Sequence, residues 1–519
     1  AALNKILGTE ADQLMGGNPS TGCVSDKTST AAIYCKEDFS TYSVSEVTGE
    51  KIINRLDSGD INKYKNRGTN AVTYLSRSNW GETYPKQAAK LVLNKEMAED
   101  LKRDTVPDDT GYTMPQYQQL NGTKLSQGVK IADVKSGDRV AFDFINAPLD
   151  ERSADWNAEW QTAWDELLDQ MSQGEQITMV SSSFHKIHGA ASIALPESYQ
   201  ENGPVGITKR EDTKYIFSVP NQELIEENGF VFVAYPCAGI LAASFDTDIA
   251  RRVGEHKSED MLYLGYNGIY GPGVNMHRSP FGGRAFEYPS EDPYLAGVCE
   301  AYETIGIQSK GCMAYAKHFA LNDMETNRIN CGVWSNEQAS REIYLRAFEI
   351  VFKDGGANAT MSAYTRIGTK WNGACKEMMT DILRSEWGYD GITISDWVTK
   401  SSGMSLLDGV MAGTDSFDAN NEFAAELEKY KDNAAVMQAV RNAAKRLIYN
   451  VVRTNAMNNF DRDTYVISVT PWWKTAIIAI DATIGVLAAI SAGMLVASFV
   501  IHAKRKKAEG AINKQPQDE

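Results

Sequence analysis

The chain has 519 residues, of which 43% are hydrophobic and 23% charged, and its formal net charge is −16. This composition is that of a globular protein with a large core, and the acidic excess leaves no basic stripe to neutralise the phosphates of a nucleic acid. Seven scattered cysteines without a CxxC pair, and six histidines without a metal-binding spacing, predict neither a disulfide framework nor a metal site.

The first predicted elements are a strand at residues 70–76 and an amphipathic helix at residues 86–103. Between them, residues 77–82 form a loop that carries an arginine, a tryptophan and, at its end, Glu82. Turn-forming residues further along mark a domain junction between residues 130 and 155.

From residue 158 onward, strand-like apolar runs alternate with helical stretches for about 300 residues. This pattern predicts a (β/α) barrel of the TIM type, whose usual size is about 250 residues or more. A doubly wound sheet is the alternative, although no GxGxxG turn supports a dinucleotide site. The predicted strands are residues 177–182, 230–235, 270–276, 313–319, 357–364, 391–397 and 410–417, and the predicted helices include residues 158–172, 336–352 and 375–386.

One of these runs ends in groups suited to chemistry. Residues 392–395 read Ile-Thr-Ile-Ser, which suits a buried strand, and Asp396 and Trp397 follow directly. Barrel enzymes place their catalytic residues at the carboxyl ends of the strands. There Asp396 could attack an electrophile, and Trp397 could offer a flat apolar face to a ring-shaped ligand. The alternative is an aspartate that caps the next helix.

A loop rich in glycine, proline and charged residues follows the predicted strand 270–276 and contains Arg284. The planar fork of donors on an arginine suits sugar hydroxyls or a carboxylate. An equally open alternative is a structural arginine that ties Glu287, Glu291 or Asp292 into the loop.

Lys317 and His318 are adjacent at the end of the predicted strand 313–319. Such groups are costly to bury without partners. They could donate to neighbouring ligand hydroxyls, and Lys317 could hold Asp396 ionised. The alternative is a surface pair. Three polar residues would brace the following loop: Asn322, Glu325 and Arg328.

Residues 475–502 form an apolar run of a different kind. Residues 482–501 alone give 20 uncharged positions, which is enough to cross a bilayer at about 1.5 Å per residue. Basic residues at 504–507 follow it, so the positive-inside rule predicts a cytoplasmic tail and an extracytoplasmic body. A buried core helix is the alternative.

Four motifs follow one another over about 130 residues. They are the glycine-rich set Gly-Pro-Gly-Val-Asn, Arg-Ser-Pro, Gly-Gly-Arg-x-Phe-Glu and Ser-Glu-Asp-Pro within residues 271–293, Lys-His-Phe-Ala-x-Asn at 317–322, Met-Ser-Ala-Tyr at 361–364 and Ser-Asp-Trp at 395–397. Their order and spacing resemble glycoside hydrolase family 3, the β-glucosidases, β-xylosidases and their relatives. The resemblance extends more loosely over residues 165–453.

The resemblance implies a role for each of these residues. It makes Asp396, the acid of the Ser-Asp-Trp motif, the catalytic nucleophile. It places four further residues in the subsite for the terminal sugar, and Asn202 and Trp397 are taken as additional substrate-binding residues. The four are Lys317, His318, Arg284 and Tyr364.

The resemblance also implies an acid/base in a second domain, an α/β sandwich. Residues 77–82 look like the loop Arg-x-x-Gly-Glu-Gly that carries it, which nominates Glu82 and implies the reversed-order branch of the family, with the sandwich first. The loop departs from the pattern at Thr83, which replaces a glycine. The family's Asp-Gly-Pro motif begins here with Asn202, and an amide loses the charge-assisted bonds of a carboxylate.

The sequence therefore predicts a retaining, exo-acting β-glycosidase of the β-glucosidase type, which hydrolyses a glycoside or oligosaccharide and needs no cofactor. The alternative is a weakly active or inactive carbohydrate-binding or sensing ectodomain on a membrane anchor. The predicted organisation is a partial α/β sandwich at residues 1–130, a linker at 131–157, the barrel at 158–455, a juxtamembrane segment at 456–474, a transmembrane helix at 475–502 and a cytoplasmic tail at 503–519.

Overall fold

The computed structural model describes residues 44–45, 47–60, 63, 93–118, 139–207, 220–221, 227–229, 233–458, 464 and 472–512. These residues belong to two units. The first unit contains the described residues up to 464, and the second contains the C-terminal helix Trp472–Ile512.

The first unit is an α/β structure built on a six-stranded sheet. The strands are β1 (Lys186–Ile187), β2 (Ser198–Asn202), β3 (Gly268–Tyr270), β4 (Met313–Phe319), β5 (Gly332–Val333), β6 (Ala359–Ser362), β7 (Arg366–Ile367), β8 (Lys370–Trp371) and β9 (Ile392–Ser395). The large sheet has the order β1-β2-β3-β4-β6-β9, and β5, β7 and β8 form a separate small sheet. β1 is antiparallel to β2, and all later neighbours in the large sheet are parallel.

Helical segments connect the parallel strands, and the helices predicted at residues 158–172, 336–352 and 375–386 are confirmed. The helices are Lys95–Asp100, Ala158–Asp169, Gln173–Ser181, Ala238–Ala242, Thr247–Leu264, Pro293–Gln308, Glu337–Ala339, Arg346–Lys353, Leu406–Ala412, Ala424–Glu428, Ala434–Val451 and Trp472–Ile512, with π-helical segments at Ser340–Tyr344 and Glu377–Glu386. Short 3₁₀ turns lie at Asp57–Gly59, Ala141–Phe144, Ala191–Ile193, Ala285–Glu287, Asn372–Ala374, Asn421–Phe423 and Asn455–Met457.

The central parallel strands are buried on both faces. Every residue of β4, β6 and β9 is buried. A parallel strand covered on both faces tends to be a continuous apolar run, and the strands predicted at residues 313–319 and 392–395 match β4 and β9. β6 lies inside the strand predicted at residues 357–364.

The sheet curls into a half-barrel, and backbone hydrogen bonds continue beyond its last strand. Residues 414–418 lie beside β9, and residues 180–185 lie between them and β2. The connecting bonds are Ser395 N to Ser416 O (3.0 Å), Phe417 N to Val180 O (3.0 Å), Ser183 N to Phe417 O (2.9 Å) and Gln200 N to His185 O (2.9 Å). Residues 414–418 and 180–185 therefore connect β9 back towards β2, at the opposite end of the sheet.

The strand predicted at residues 177–182 is wrong, because these residues lie in the helix Gln173–Ser181. A capping box begins this helix. The Glu175 N–H donates to the Ser172 hydroxyl at 3.2 Å, and the Ser172 N–H donates to the Glu175 carboxylate at 2.9 Å. These reciprocal bonds satisfy free N–H groups at the helix start, and they outweigh a short apolar run.

The strand predicted at residues 410–417 is wrong in its first part. Residues 410–412 end the helix Leu406–Ala412, which terminates at Gly413 with φ +105°. Beyond that glycine, Ser416 forms an isolated parallel bridge with Ile394. The turn at Gly413 thus separates a helix from an extended segment within one apolar run.

The strand predicted at residues 270–276 is correct only at its first residue, since β3 ends at Tyr270. Among the described residues of the helix predicted at 86–103, helix spans Lys95–Asp100, because the Asn94 side chain caps it by accepting from the Met97 N–H at 2.9 Å. Residues 233–235 are not strand. The predicted strand 70–76, residues 230–232 and Glu82 lie outside the described residues.

A buried ion network holds the amino end of β9. The fully buried carboxylate of Asp415 accepts from Arg384 Nη2 at 2.6 Å, Arg446 Nε at 2.5 Å and the Thr393 N–H at 2.8 Å. Burial lowers the pKa of Arg384 to about 10, and the charge of Asp415 opposes that shift. Breaking a buried pair by removing one partner costs about 3–5 kcal/mol, so this network anchors the strand that carries Asp396.

The C-terminal helix is apolar over most of its length. Its stretch Thr475–Gly510 is long and apolar enough to cross a membrane, and its side chains are exposed in the structure. Among the described residues, it is the one helix that meets this test.

Candidate active site

Asp396 follows β9 at the carboxyl end of the parallel strands. Its side chain is 15% exposed, and its Oδ1 accepts from the Trp397 N–H at 2.7 Å. It does not cap the next helix, because Ser405 caps Leu406–Ala412 by accepting from the Asp408 N–H. The carboxylate therefore points to a partly open space at the strand ends.

Trp397 lies beside Asp396 and is 37% exposed. Its ring centre lies 6.0 Å from that of Phe184. The Tyr364 hydroxyl donates to the Trp397 carbonyl at 2.7 Å, which ties the end of β6 to the residue after the carboxylate. An exposed aromatic face thus adjoins the acid.

Arg284 makes two kinds of contact. Its Nε and Nη2 donate to the Glu287 carboxylate at 3.0 and 2.6 Å, and its Nη1 lies 3.2 Å from His318 Nε2. Gly283 precedes it at φ +89°, a conformation that a glycine adopts without strain. The arginine ties Glu287 into the loop, as the structural alternative predicted, and it also contacts the imidazole beside Asp396. Its role in sugar binding stays a prediction.

His318 is neutral in this setting. Burial, and then the charges of Arg284 and Lys317, lower the pKa of His318 well below its ordinary value. Because Arg284 Nη1 can only donate, His318 Nε2 accepts. The proton of the neutral ring is therefore on Nδ1, which lies 3.2 Å from the Tyr288 hydroxyl.

Lys317 is almost fully buried, with 3% of its surface exposed. Its Nζ lies 3.5 Å from Oδ1 of Asn202, at the end of β2. Burial lowers the pKa of Lys317 to about 8, and the carboxylates of Glu287 and Asp396 oppose the shift. The ammonium thus sits among the strand ends, as the sequence predicted.

The residues predicted to brace the next loop do so through Tyr288 and Tyr364. Asn322 Nδ2 donates to the Tyr288 hydroxyl at 3.1 Å and to Glu325 Oε1 at 3.0 Å. Arg328 pairs with Glu325 at 2.9 Å, and its guanidinium lies 4.8 Å from the centre of the Tyr364 ring.

The charges around Asp396 favour its ionised form, whereas burial disfavours that form. Burial raises the pKa of Asp396 above its ordinary value, while the Trp397 N–H bond and the charges of Arg328, Arg284 and Lys317 limit the rise. The nearest imidazole nitrogen, Nε2 of His318, is 3.6 Å from Asp396 Oδ2. Because that ring is neutral, the opposing charge comes from the three cations.

The structure brings most of the predicted residues to one place. Arg284, His318 and Lys317 are linked to Asp396 through short contacts or charge, Lys317 contacts Asn202, and Tyr364 contacts Trp397. Glu82 lies outside the described residues. Among the described residues, no group of three or more His, Cys, Asp or Glu side chains is placed to hold a metal ion.

Sequence reasoning missed Tyr288 and Asp418. Tyr288 contacts His318, and the Asp418 Oδ1 accepts from the His185 N–H at 3.1 Å. One signal for Asp418 was available, since it is an acid that directly follows a predicted strand, as Asp396 does.

Comparisons with known proteins relate part of the chain to one family of glycoside hydrolases. A model of the glycosyl hydrolase family 3 N-terminal domain matches residues 226–449. β-Glucosidase A of Butyrivibrio fibrisolvens is 37% identical over 205 residues, which are 40% of this chain and 23% of that protein. An exo-α-(1→6)-L-arabinopyranosidase of Bifidobacterium longum is 36% identical over 227 residues, 44% of this chain and 29% of that protein.

Among solved structures, a β-glucosidase from Kluyveromyces marxianus in complex with glucose aligns with a TM-score of 0.50 and 28% identity. The alignment covers 59% of this chain and 36% of that one. The chain spans about a quarter of the length of the curated relatives it matches. Residues 226–449, which match the family 3 N-terminal domain, contain every predicted site residue except Asn202 and Glu82.

Proposed function

We propose that the protein is a retaining, exo-acting β-glycosidase of the β-glucosidase type, which hydrolyses terminal non-reducing β-linked sugars. The observation that carries the proposal is the partly exposed carboxylate of Asp396 at the strand ends. The positive charges of Arg284, Lys317 and Arg328 favour its ionised form. The β-glucosidase relatives support the substrate class.

In this mechanism Asp396 attacks the anomeric carbon and forms a covalent glycosyl-enzyme. Lys317, His318, Arg284 and Asn202 hold hydroxyls of the terminal sugar. Trp397 offers its ring to the apolar face of the sugar, with Tyr364 bound to its carbonyl. The neutral His318 stabilises hydroxyls through hydrogen bonds rather than charge, which leaves the cations to balance Asp396.

The acid/base is proposed to be Glu82, in the sandwich domain at residues 1–130. Protonated, it donates to the leaving oxygen, and ionised, it then activates water. A retaining pair has its carboxyls about 5–5.5 Å apart. The curled sheet and the bonds through residues 414–418 and 180–185 support completion of the fold as a (β/α) barrel at residues 158–455.

The rival function is that of a weakly active carbohydrate-binding or sensing ectodomain. Its support is Asn202, where an amide rather than a carboxylate lies 3.5 Å from the Lys317 ammonium. An amide oxygen forms weaker bonds to a cation and to hydroxyls than a carboxylate does. Sugar binding without turnover is the outcome that this rival predicts.

The membrane location is also a proposal. The apolar stretch Thr475–Gly510 supports a single span, and the basic residues 504–507 support a cytoplasmic tail with the body outside. The second unit contains the helix and the first contains the candidate site.

The paired variants Asp396→Ala and Glu82→Ala test the mechanism on 2,4-dinitrophenyl β-glucoside with added azide. Asp396→Ala should lose on the order of 10⁴-fold or more in turnover. Azide should restore part of it and yield the α-glycosyl azide, because a single displacement inverts the anomeric centre. Glu82→Ala should keep the first step with this good leaving group and yield the β-glycosyl azide, because two displacements retain it. The anomers are read by NMR.

The matched control is Asp248→Ala, which removes a carboxylate whose side chain is 78% exposed, and it should behave as the wild type. Near-normal turnover by Asp396→Ala would remove this residue from the mechanism. The same anomer from both variants would contradict their assigned roles. A wild type that binds glucose but hydrolyses no aryl glycoside would favour the rival function.

The acid side of the pH profile tests the electrostatics of Asp396. Of the cations that oppose its raised pKa, Arg328 acts most strongly. Loss of this charge in Arg328→Met should raise the pKa of Asp396 further, so more alkaline conditions are needed to ionise it. The acid limb of kcat/KM, which reports the free enzyme, should move to higher pH. Arg346→Met is the matched control, since Arg346 also pairs with a glutamate three residues away. An unchanged limb in Arg328→Met would contradict the account.

Topology is tested by adding protease to intact cells. The body should be released, and an epitope placed after residue 512 should remain protected inside. Protection of the whole chain, or digestion of the epitope, would overturn the proposed orientation.

A further inference from the structure

Asp418 is a buried acid that the mechanism above does not use. It is 3% exposed, close to the values for Lys317 and His318 at the candidate site. Its N–H donates to the Ser395 hydroxyl at 3.0 Å, and its carbonyl accepts from the Val398 N–H at 2.8 Å. The backbone of Asp418 therefore flanks the segment that carries Asp396.

The carboxyl of Asp418 has one satisfied oxygen. Oδ1 accepts from the His185 N–H at 3.1 Å, and Oδ2 has no hydrogen-bond partner among the described residues. Oδ2 is not among the fully buried side-chain atoms that lack a partner in the described part of the chain, so this oxygen keeps some exposure. This atom is thus available for a ligand at the strand ends.

Asp418 acts electrostatically on the candidate site. Burial, together with the charges of Asp396 and Glu201, raises the pKa of Asp418 well above its ordinary value, while Lys317 opposes the shift. Burial and the charge of Asp396 raise the pKa of Tyr364, Asp418 adds to this rise, and Arg328 opposes it. Its carboxyl therefore lies within the field of three predicted site residues and is biased toward the protonated form, which can donate as well as accept.

The neighbouring acid Glu201 has different hydrogen-bond partners. Its Oε1 accepts from the Asn202 N–H at 2.7 Å and lies 3.4 Å from His185 Nδ1. The two acids thus flank His185, but Glu201 also hydrogen-bonds Tyr266, whereas Oδ2 of Asp418 has no hydrogen-bond partner in the part of the chain that the structure describes. Glu201 therefore serves as a matched comparison.

We propose that Asp418 is a specificity-determining residue, which binds one hydroxyl of the terminal sugar through Oδ2 beside the nucleophile Asp396. The inference rests on the proposed glycosidase function. A hydroxyl both donates and accepts, as a protonated carboxyl does, so the pair satisfies both groups. The amide of Asn202, on β2, is left to serve another hydroxyl with Lys317.

The test is a set of 4-nitrophenyl β-glucosides that lack the 2-, 3-, 4- or 6-hydroxyl, compared with the parent sugar. Asp418→Ala should lower kcat/KM for the parent on the order of tenfold or more, the usual loss for a strong polar contact. On the analogue that lacks the hydroxyl bound by Asp418, the same variant should lose about twofold or less in kcat/KM relative to the wild type, because the contact is already absent. This coupling identifies the hydroxyl.

Asp418→Asn is the control for a folding defect, because its amide oxygen can still accept from the His185 N–H. It should lose less activity than Asp418→Ala and show coupling to the same hydroxyl. Glu201→Gln should show no coupling to that hydroxyl.

Equal losses on all five sugars would assign Asp418 a structural role and overturn the inference, as would no loss on any. If the wild type is active but Asp418→Ala shows no coupling to any hydroxyl, this inference alone is rejected. A wild type inactive on every sugar rejects the proposed function and this inference with it.

Discussion

The candidate site depends on how the carboxylate of Asp396 is kept ionised inside the protein. Burial raises the pKa of Asp396, and the site opposes this with one backbone N–H and the charges of Arg328, Arg284 and Lys317. Two of the three cations are themselves constrained, since Arg284 pairs with Glu287 and Arg328 pairs with Glu325. A change in the position of any of these cations would therefore change the pKa of Asp396.

His318 completes this network without adding charge. Arg284 donates to one ring nitrogen, and the other faces the hydroxyl of Tyr288, which Asn322 also contacts. A protonated imidazole beside two cations would be repelled, so the ring stays neutral and is held by hydrogen bonds. The same polar chain fixes the loop after β4, and the buried network at Asp415 holds the other end of β9. The fold thus positions Asp396 from both directions.

The sequence predicted the parts of this structure that follow from burial. β4 and β9 are buried on both faces and rich in apolar residues, so these runs and the polar residues at their ends could be recognised directly. The helix Gln173–Ser181 was missed although Ser172 and Glu175 have the Ser-x-x-Glu spacing of a capping box, because the short apolar run after them also fits a buried strand. Asp418 was missed although it directly follows a predicted strand, because the sequence does not show that the residues after Gly413 return to β9 and bring this acid beside Asp396. Glu82 lies outside the described residues, so its role still rests on resemblance.

The central claim is that Asp396 forms a covalent bond to the sugar. The most direct measurement is mass spectrometry of peptides after incubation with 2,4-dinitrophenyl 2-deoxy-2-fluoro-β-glucoside, whose fluorine slows breakdown of the glycosyl-enzyme. We expect one label, on Asp396, that forms at the same rate as activity is lost. A label on another residue, or loss of activity with no labelled peptide, would contradict it.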